Sequence, residues 1–196
     1  MDWIGHHNDI AQWGNGTERS GPTSAEGKSL IPMIPGGYDA ASQYLIRFGY
    51  ANGVRMTVRS QDITVDFDRA SVPESARGTK VPNGVRFEGS DGWIFVSRGT
   101  IQASNPDLLE EPLPAGAVRL YKSTNHMGNF FDSVRTRRAP ICDVEIGHRS
   151  ITTAHLGAIS IRLGRALRWN PDTETFVDDL EADTWLSREM RPPYDW

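Results

Sequence analysis

The chain has 196 residues, 38% of them hydrophobic and 23% charged, with a formal net charge of −4. A single domain of this size buries roughly 70% of its unfolded surface and needs no disulfide staples; Cys142 stands alone, so no intramolecular disulfide forms. The positive charges are scattered along the sequence, which argues against nucleic acid or an anionic membrane as the main partner, and no run of 18 apolar residues provides a membrane-spanning helix.

The first segment reads as a short helix: Ile10 and Trp13 fall at i and i+3, and Gly14-Asn15-Gly16 ends it with residues that tolerate positive φ. Gly21-Pro22 turns into a short segment ending at Ile31-Pro32, and prolines and glycines at 32, 35, 36 and 37 mark a loop. From Tyr44 the pattern is β. Tyr44 to Tyr50 and Val54 to Val58 flank Ala51-Asn52-Gly53, a hairpin signal. Val85 to Glu88 and Trp93 to Val96 flank Gly89-Ser90-Asp91-Gly92, a second hairpin that Gly99 to Ala103 continues. Asp66 to Asn83, polar with two prolines, reads as a variable loop.

Past Pro106, Pro112 and Pro114 the chain turns helical. Phe130, Phe131 and Val134 share a helical face, and Arg135, Arg137 and Arg138 complement the dipole at that helix's C-terminus. Ser150 to Leu163 is the longest helical run, with Ile151, Ala154, Ala158 and Ile161 near a 3.6 period and Gly164 ending it. Residues 168–196 read as an extended C-terminal tail with one short helix around Leu180 to Leu186. Strands followed by helices predict an α+β fold, a mostly antiparallel sheet with helices on one face. If the other face is apolar, sheet-to-sheet oligomer contact explains it.

No G-x-G-x-x-G follows a strand, and no P-loop, C-x-x-C or G-x-S-x-G occurs. The sequence therefore predicts no cofactor-binding residues. It does contain Asp2-Trp3-Ile4-Gly5-His6-His7-Asn8-Asp9-Ile10-Ala11-Gln12-Trp13. Asp2 and His6 are four apart, a spacing that brings both to one face of a helix start. A carboxylate beside an imidazole holds its tautomer and raises its basicity, which suits acid–base work near neutral pH. Two adjacent histidines are also ordinary helix-start residues. His148 and His155, seven apart, are too far separated to share one ion with Glu145 and read as capping and core groups; no metal site is expected.

The stretch resembles the D-x-G-x-H-x-x-D-x-x-x-W pattern that opens the C-terminal domain of Gfo/Idh/MocA oxidoreductases, most closely the branch reading D-W-G-A-H-H-x-D-I-A-Q-W. Asp2, Trp3, His6, His7, Asp9, Ile10, Ala11, Gln12 and Trp13 match; the motif's glycine is Ile4 here, with Gly5 one place later. Phe130-Phe131-Asp132-Ser133-Val134-Arg135, Pro140-Ile141-Cys142 and Glu145-Ile146-Gly147-His148-Arg149-Ser150 resemble the family's late helix pair, continued by His155-Leu156-Gly157 through Trp169.

The resemblance implies a single domain, 1–196, for substrate binding and oligomerisation. Its large antiparallel sheet carries helices on one face, and the other face forms dimers or tetramers. It implies a carbohydrate or polyol substrate held against a Rossmann domain that binds NAD or NADP and supplies a lysine from an E-K-P motif; both are missing from this chain. By position His6 is the acid–base that takes a proton from a sugar hydroxyl, and Asp2 orients it or binds a hydroxyl. Trp3 and His7 line the substrate, while Asp9 is structural. Met1 directly precedes the motif's aspartate, so a truncated chain, inactive alone, is expected, and its compartment is open. The alternatives are part of an NAD-dependent glycosidase, a non-catalytic oligomerising or sugar-binding module, and a metal-dependent lyase using His6, His7 and Asp9.

Overall fold

A computed structural model of the chain describes residues 2–32, 34, 36–37, 39–60, 83–119 and 121–194, with the side chain of Asp2 outside that set. The polar loop expected over 66–83 lies outside the described residues but for Asn83. The elements run α1 (Asp2–Asn15), β1 (Ser24–Ser29), β2 (Tyr44–Gly49), β3 (Arg55–Arg59), β4 (Val85–Gly89), β5 (Gly92–Ser97), β6 (Thr100–Ala103), α2 (Asp107–Glu110), α3 (His126–Thr136), α4 (Val144–Leu163), β7 (Leu167–Asn170), β8 (Thr175–Phe176) and α5 (Leu180–Asp183). The fold is α+β, as the sequence predicts, with the strands divided between two antiparallel sheets: β3-β2-β1-β7-β8 and β4-β5-β6.

Both predicted hairpins form. In the first, Gly53 supplies a φ of 85°, and Val54 N–H donates to the Asn52 side chain. In the second, Gly89 pairs with Gly92 across the two residues Ser90 and Asp91. The central strand β1 is a finding the sequence did not signal. Its sequence is Ser-Ala-Glu-Gly-Lys-Ser, with no β-branched or aromatic residue to raise strand propensity. Packing explains the composition. Gly27 lies under α4, where a Cβ would sit 2.6 Å from Ile161 Cγ1 and 2.8 Å from the Gly157 carbonyl oxygen. Gly157 in turn leaves room for Ile46 and Phe48 of β2. Two facing glycines let helix and sheet approach closely.

One buried hydroxyl completes that contact. β1 pairs with β7 only at Ser24 and Ala25, which leaves the Gly27 N–H beyond the end of the ladder. Ser160 Oγ, wholly buried, accepts from Gly27 N–H at 2.8 Å and donates to the Arg165 carbonyl at 2.7 Å. An unpaired buried amide is thereby avoided. The core gathers Ile46, Phe48, Ala154, Leu156, Ile159, Leu167, Trp169 and Phe176. Trp169 and Phe176 meet edge to face at 5.0 Å, so the segment read as a tail contributes two strands and core aromatics.

α4 begins at Val144, six residues before the apolar periodicity does, because Asp143 caps it by accepting from Ile146 N–H at 3.1 Å. Gly164, at φ 67°, ends it. α1 packs on α4 and turns Ile4, Asn8 and Gln12 inward, each nearly or fully buried, an i, i+4, i+8 stripe that is mostly amide. α1 closes in a Schellman arrangement: Gly16 N–H donates to the Trp13 carbonyl and Thr17 N–H to that of Gln12. Against the far end of α1, the Phe87 ring occupies the space a side chain at Gly14 would need. α3 buries none of its residues; Met127, Phe130, Phe131 and Val134, an i, i+3, i+4, i+7 stripe, stand half exposed.

The face of the five-stranded sheet away from α4 is not apolar. By strand alternation and register it presents Ser24, Glu26 and Lys28 from β1, Leu45, Arg47 and Gly49 from β2, and Arg55, Thr57 and Arg59 from β3. Among the described residues, no helix is long and apolar enough to cross a membrane.

Candidate functional site

The first turns of α1 bring three of the four expected site residues together. Helical spacing puts Trp3, His6 and His7 at i, i+3 and i+4, where side chains meet. The Trp3 indole meets the His6 ring edge-on at 5.7 Å and stacks with the His7 ring at 6.1 Å. Trp3 is 52% exposed, an aromatic surface open to a ligand. Asp2 opens the same helix, so its backbone stands one turn before that of His6; its side chain lies outside the described residues.

His6 is exposed and His7 partly buried. Burial holds the His7 imidazole below its ordinary pKa of 6.5, with a hydrogen bond to the Trp3 backbone opposing the shift and the charges of Arg98 and His6 adding to it. His7 is therefore a neutral ring at neutral pH, able to accept a proton or a hydrogen bond. Arg98, in the turn between β5 and β6, is a neighbour that sequence reading missed. It comes from more than ninety positions away and has no motif around it.

Asp9 does not join this group. It accepts from Ser150 Oγ at 2.8 Å and ties α1 to α4, a structural role. Asn8 and Gln12 carry the same seam: Gln12 Oε1 accepts from Thr17 at 3.0 Å, while Asn8 Nδ2 and Gln12 Nε2 are buried without a partner among the described residues. His148 bonds Glu174 at 2.7 Å, and Arg149 shares that carboxylate at 2.9 Å. No group of three or more His, Cys, Asp or Glu able to hold a metal occurs among the described residues.

The starts of α3 and α4 offer no open cradle for a dinucleotide. Its pyrophosphate needs free N–H groups at a helix start or a glycine-rich turn. At α3 the Asn125 side chain takes the Gly128 N–H at 2.9 Å. At α4 the Asp143 carboxylate takes the Ile146 N–H and pairs with Arg19 at 2.6 Å, placing negative charge where a phosphate would have to lie.

The chain is thus an α+β domain with an imidazole–indole group at the head of its first helix. Residues 77–196, more than half of the chain, match the family model for the C-terminal alpha/beta domain of the Gfo/Idh/MocA oxidoreductase family, and the chain belongs to that family. The match begins beyond α1, so roles for Asp2, Trp3, His6 and His7 rest on the residues themselves.

Among solved structures, UDP-N-acetylglucosamine 3-dehydrogenase GnnA from Acidithiobacillus ferrooxidans is similar in fold, with a TM-score of 0.52 at 15% identity over 82% of this chain and 46% of that one. A structure described as "putative oxidoreductase from Thermotoga maritima" matches with a TM-score of 0.41 at 15% identity, over 83% of this chain and 44% of that one. The chain thus spans about half the length of these structures. No curated protein matches significantly.

Proposed function

We propose that this domain is the substrate-holding half of an NAD(P)-linked oxidoreductase acting on a sugar, polyol or glycoside. The observation that carries the reading is the Trp3–His6–His7 group. An exposed indole gives the apolar face of a sugar ring a surface to stack on, and two imidazoles beside it give its hydroxyls a proton acceptor and a hydrogen-bond partner. His6, the more exposed ring, takes the proton of a substrate hydroxyl. His7, kept neutral by burial, fixes the neighbouring hydroxyl, and Asp2 at the helix start orients His6. The hydride acceptor belongs to a second body. The half-exposed stripe of α3 supports this reading, since apolar surface of that kind marks a place where another folded unit sits.

The test is to read the genomic DNA upstream of the Met1 codon in frame and assay the product. An open frame of roughly 100–150 codons, a domain-sized length, with a Gly-rich strand–helix turn and an E-K-P supports the proposal. The joined protein should then reduce NAD or NADP with a member of a sugar and polyol panel. A stop codon and ribosome-binding site just before Met1 would remove it.

A further inference from the structure

Strand alternation gives the three-stranded sheet one apolar face. Val85 and Phe87 of β4 stand across from Val96 and Ile94 of β5, and cross-strand partners share a face. This face meets α1, because the Phe87 ring fills the space beside Gly14. His7 lies seven residues before Gly14, two turns and about 10 Å back along the same flank of the helix. Arg98 lies four residues beyond Ile94, the partner of Phe87, about 13 Å along β5 and into its turn. The His7 ring feels the Arg98 charge, so helix and strand run out side by side from the Phe87–Gly14 contact. Their alignment delivers Arg98 to the head of α1.

The turn that carries Arg98 is tight. Ser97 pairs with Thr100 across it, and Gly99 closes it at a φ of 69°, a conformation that favours glycine. Arg98 is exposed, and its guanidinium has no ion pair or hydrogen bond among the described residues. Its charge and that of a protonated His6 both oppose a proton on His7. A guanidinium set beside two imidazoles repels further positive charge and attracts an anion brought between them. It recognises carboxylate and phosphate oxygens in pairs, a geometry that a neutral sugar hydroxyl does not use.

Resting on the substrate reading above, we propose that Arg98 sets the specificity of the site and that the sugar it takes is anionic, its carboxylate or phosphate held by Arg98 while its ring stacks on Trp3. The test is NMR titration of the 196-residue chain with glucuronate, glucose 6-phosphate, glucose and inorganic phosphate, read at the Trp3 indole N–H. Saturable shifts with glucuronate or glucose 6-phosphate are expected, and which of the two binds identifies the anionic group. Glucose and inorganic phosphate should each bind at least about tenfold more weakly. Arg98→Ala should weaken the sugar anion at least about tenfold, the loss of one charge-assisted contact. Arg98→Lys, which keeps the charge without the fork, should fall between, and Arg138→Ala, beyond the end of α3, should change nothing. Glucose binding as tightly as the sugar anions, or equal affinity in Arg98→Ala, overturns the proposal and leaves the substrate reading standing. Inorganic phosphate binding as tightly as the sugar anions overturns it too, because the site then holds an adventitious ion only. No shift at Trp3 from any of the three sugars removes it as well, and turnover of the joined protein then decides the substrate reading by itself.

Discussion

Replacing Gly27 with alanine tests the packing account most sharply, because the new methyl meets a backbone atom. The added Cβ would lie 2.8 Å from the Gly157 carbonyl oxygen and 2.6 Å from Ile161 Cγ1; the Ile161 side chain can turn away, but the carbonyl belongs to α4 and cannot. The helix must lift from β1. Overpacking of this kind costs about 1–3 kcal/mol, and the same lift stretches the buried Gly27–Ser160 hydrogen bond, worth about 1–3 kcal/mol if its donor is stranded. Alanine's lower chain entropy returns about 0.5–1 kcal/mol. The net is a destabilisation of about 2–4 kcal/mol, a fall in Tm of roughly 5–15 °C for a domain of this size. Gly147→Ala is the companion variant. It stands in α4, and a methyl added there would have nothing within 4 Å, so it should gain about 0.5–1 kcal/mol of helix propensity. Urea unfolding of both variants beside the wild type reads the difference. Gly27→Ala at least as stable as the wild type would refute the close approach of α4 to β1.

Ser160→Ala removes the acceptor for Gly27 N–H and the donor to the Arg165 carbonyl; a loss of about 1–3 kcal/mol is expected, with faster hydrogen exchange at the Gly27 amide, and unchanged protection there would contradict it. His7 should titrate below 6.5 by NMR, and Arg98→Ala should move it upward by removing a like charge. Because its folded-state pKa is lowered, the unfolded chain binds the proton more readily; stability falls as pH drops below about 6.5 and is level above. His7→Gln should flatten that slope. Asp179, held below the usual carboxylate range first by its hydrogen bond from Arg165 and then by capping Ala182, stabilises the fold above its ordinary value of 3.8, and that contribution fades as pH falls through its lowered value. The Tm difference between Asp179→Asn and the wild type should therefore be largest near neutrality and shrink in acid; a pH-independent difference would count against the pairing.

Elements whose signals are local were legible in the sequence. Asn52-Gly53 and the Gly89–Gly92 turn announced two hairpins, and the 130–134 and 151–161 periodicities announced α3 and α4. What failed depended on neighbours distant in sequence. β1 is nearly featureless because α4 requires Ala25 and Gly27 on its inner face. The inward stripe of α1 escaped because Asn8 and Gln12 are amides, while Ile10 and Trp13, whose i, i+3 spacing marks the helix, are only partly buried. At the candidate site the i, i+3, i+4 grouping of Trp3, His6 and His7 follows from helical spacing alone. Arg98 does not, since only tertiary packing brings the β5–β6 turn to α1.

The central claim is that His6 handles the substrate proton. In the joined protein, with its cofactor half present, steady-state turnover of His6→Ala against the wild type tests this most directly. The account predicts kcat lower by about 10²–10⁴, the usual share of general acid–base catalysis, with nucleotide affinity unchanged and His7→Ala acting mainly on KM. Turnover unaltered by His6→Ala would contradict it and move the chemistry away from the head of α1.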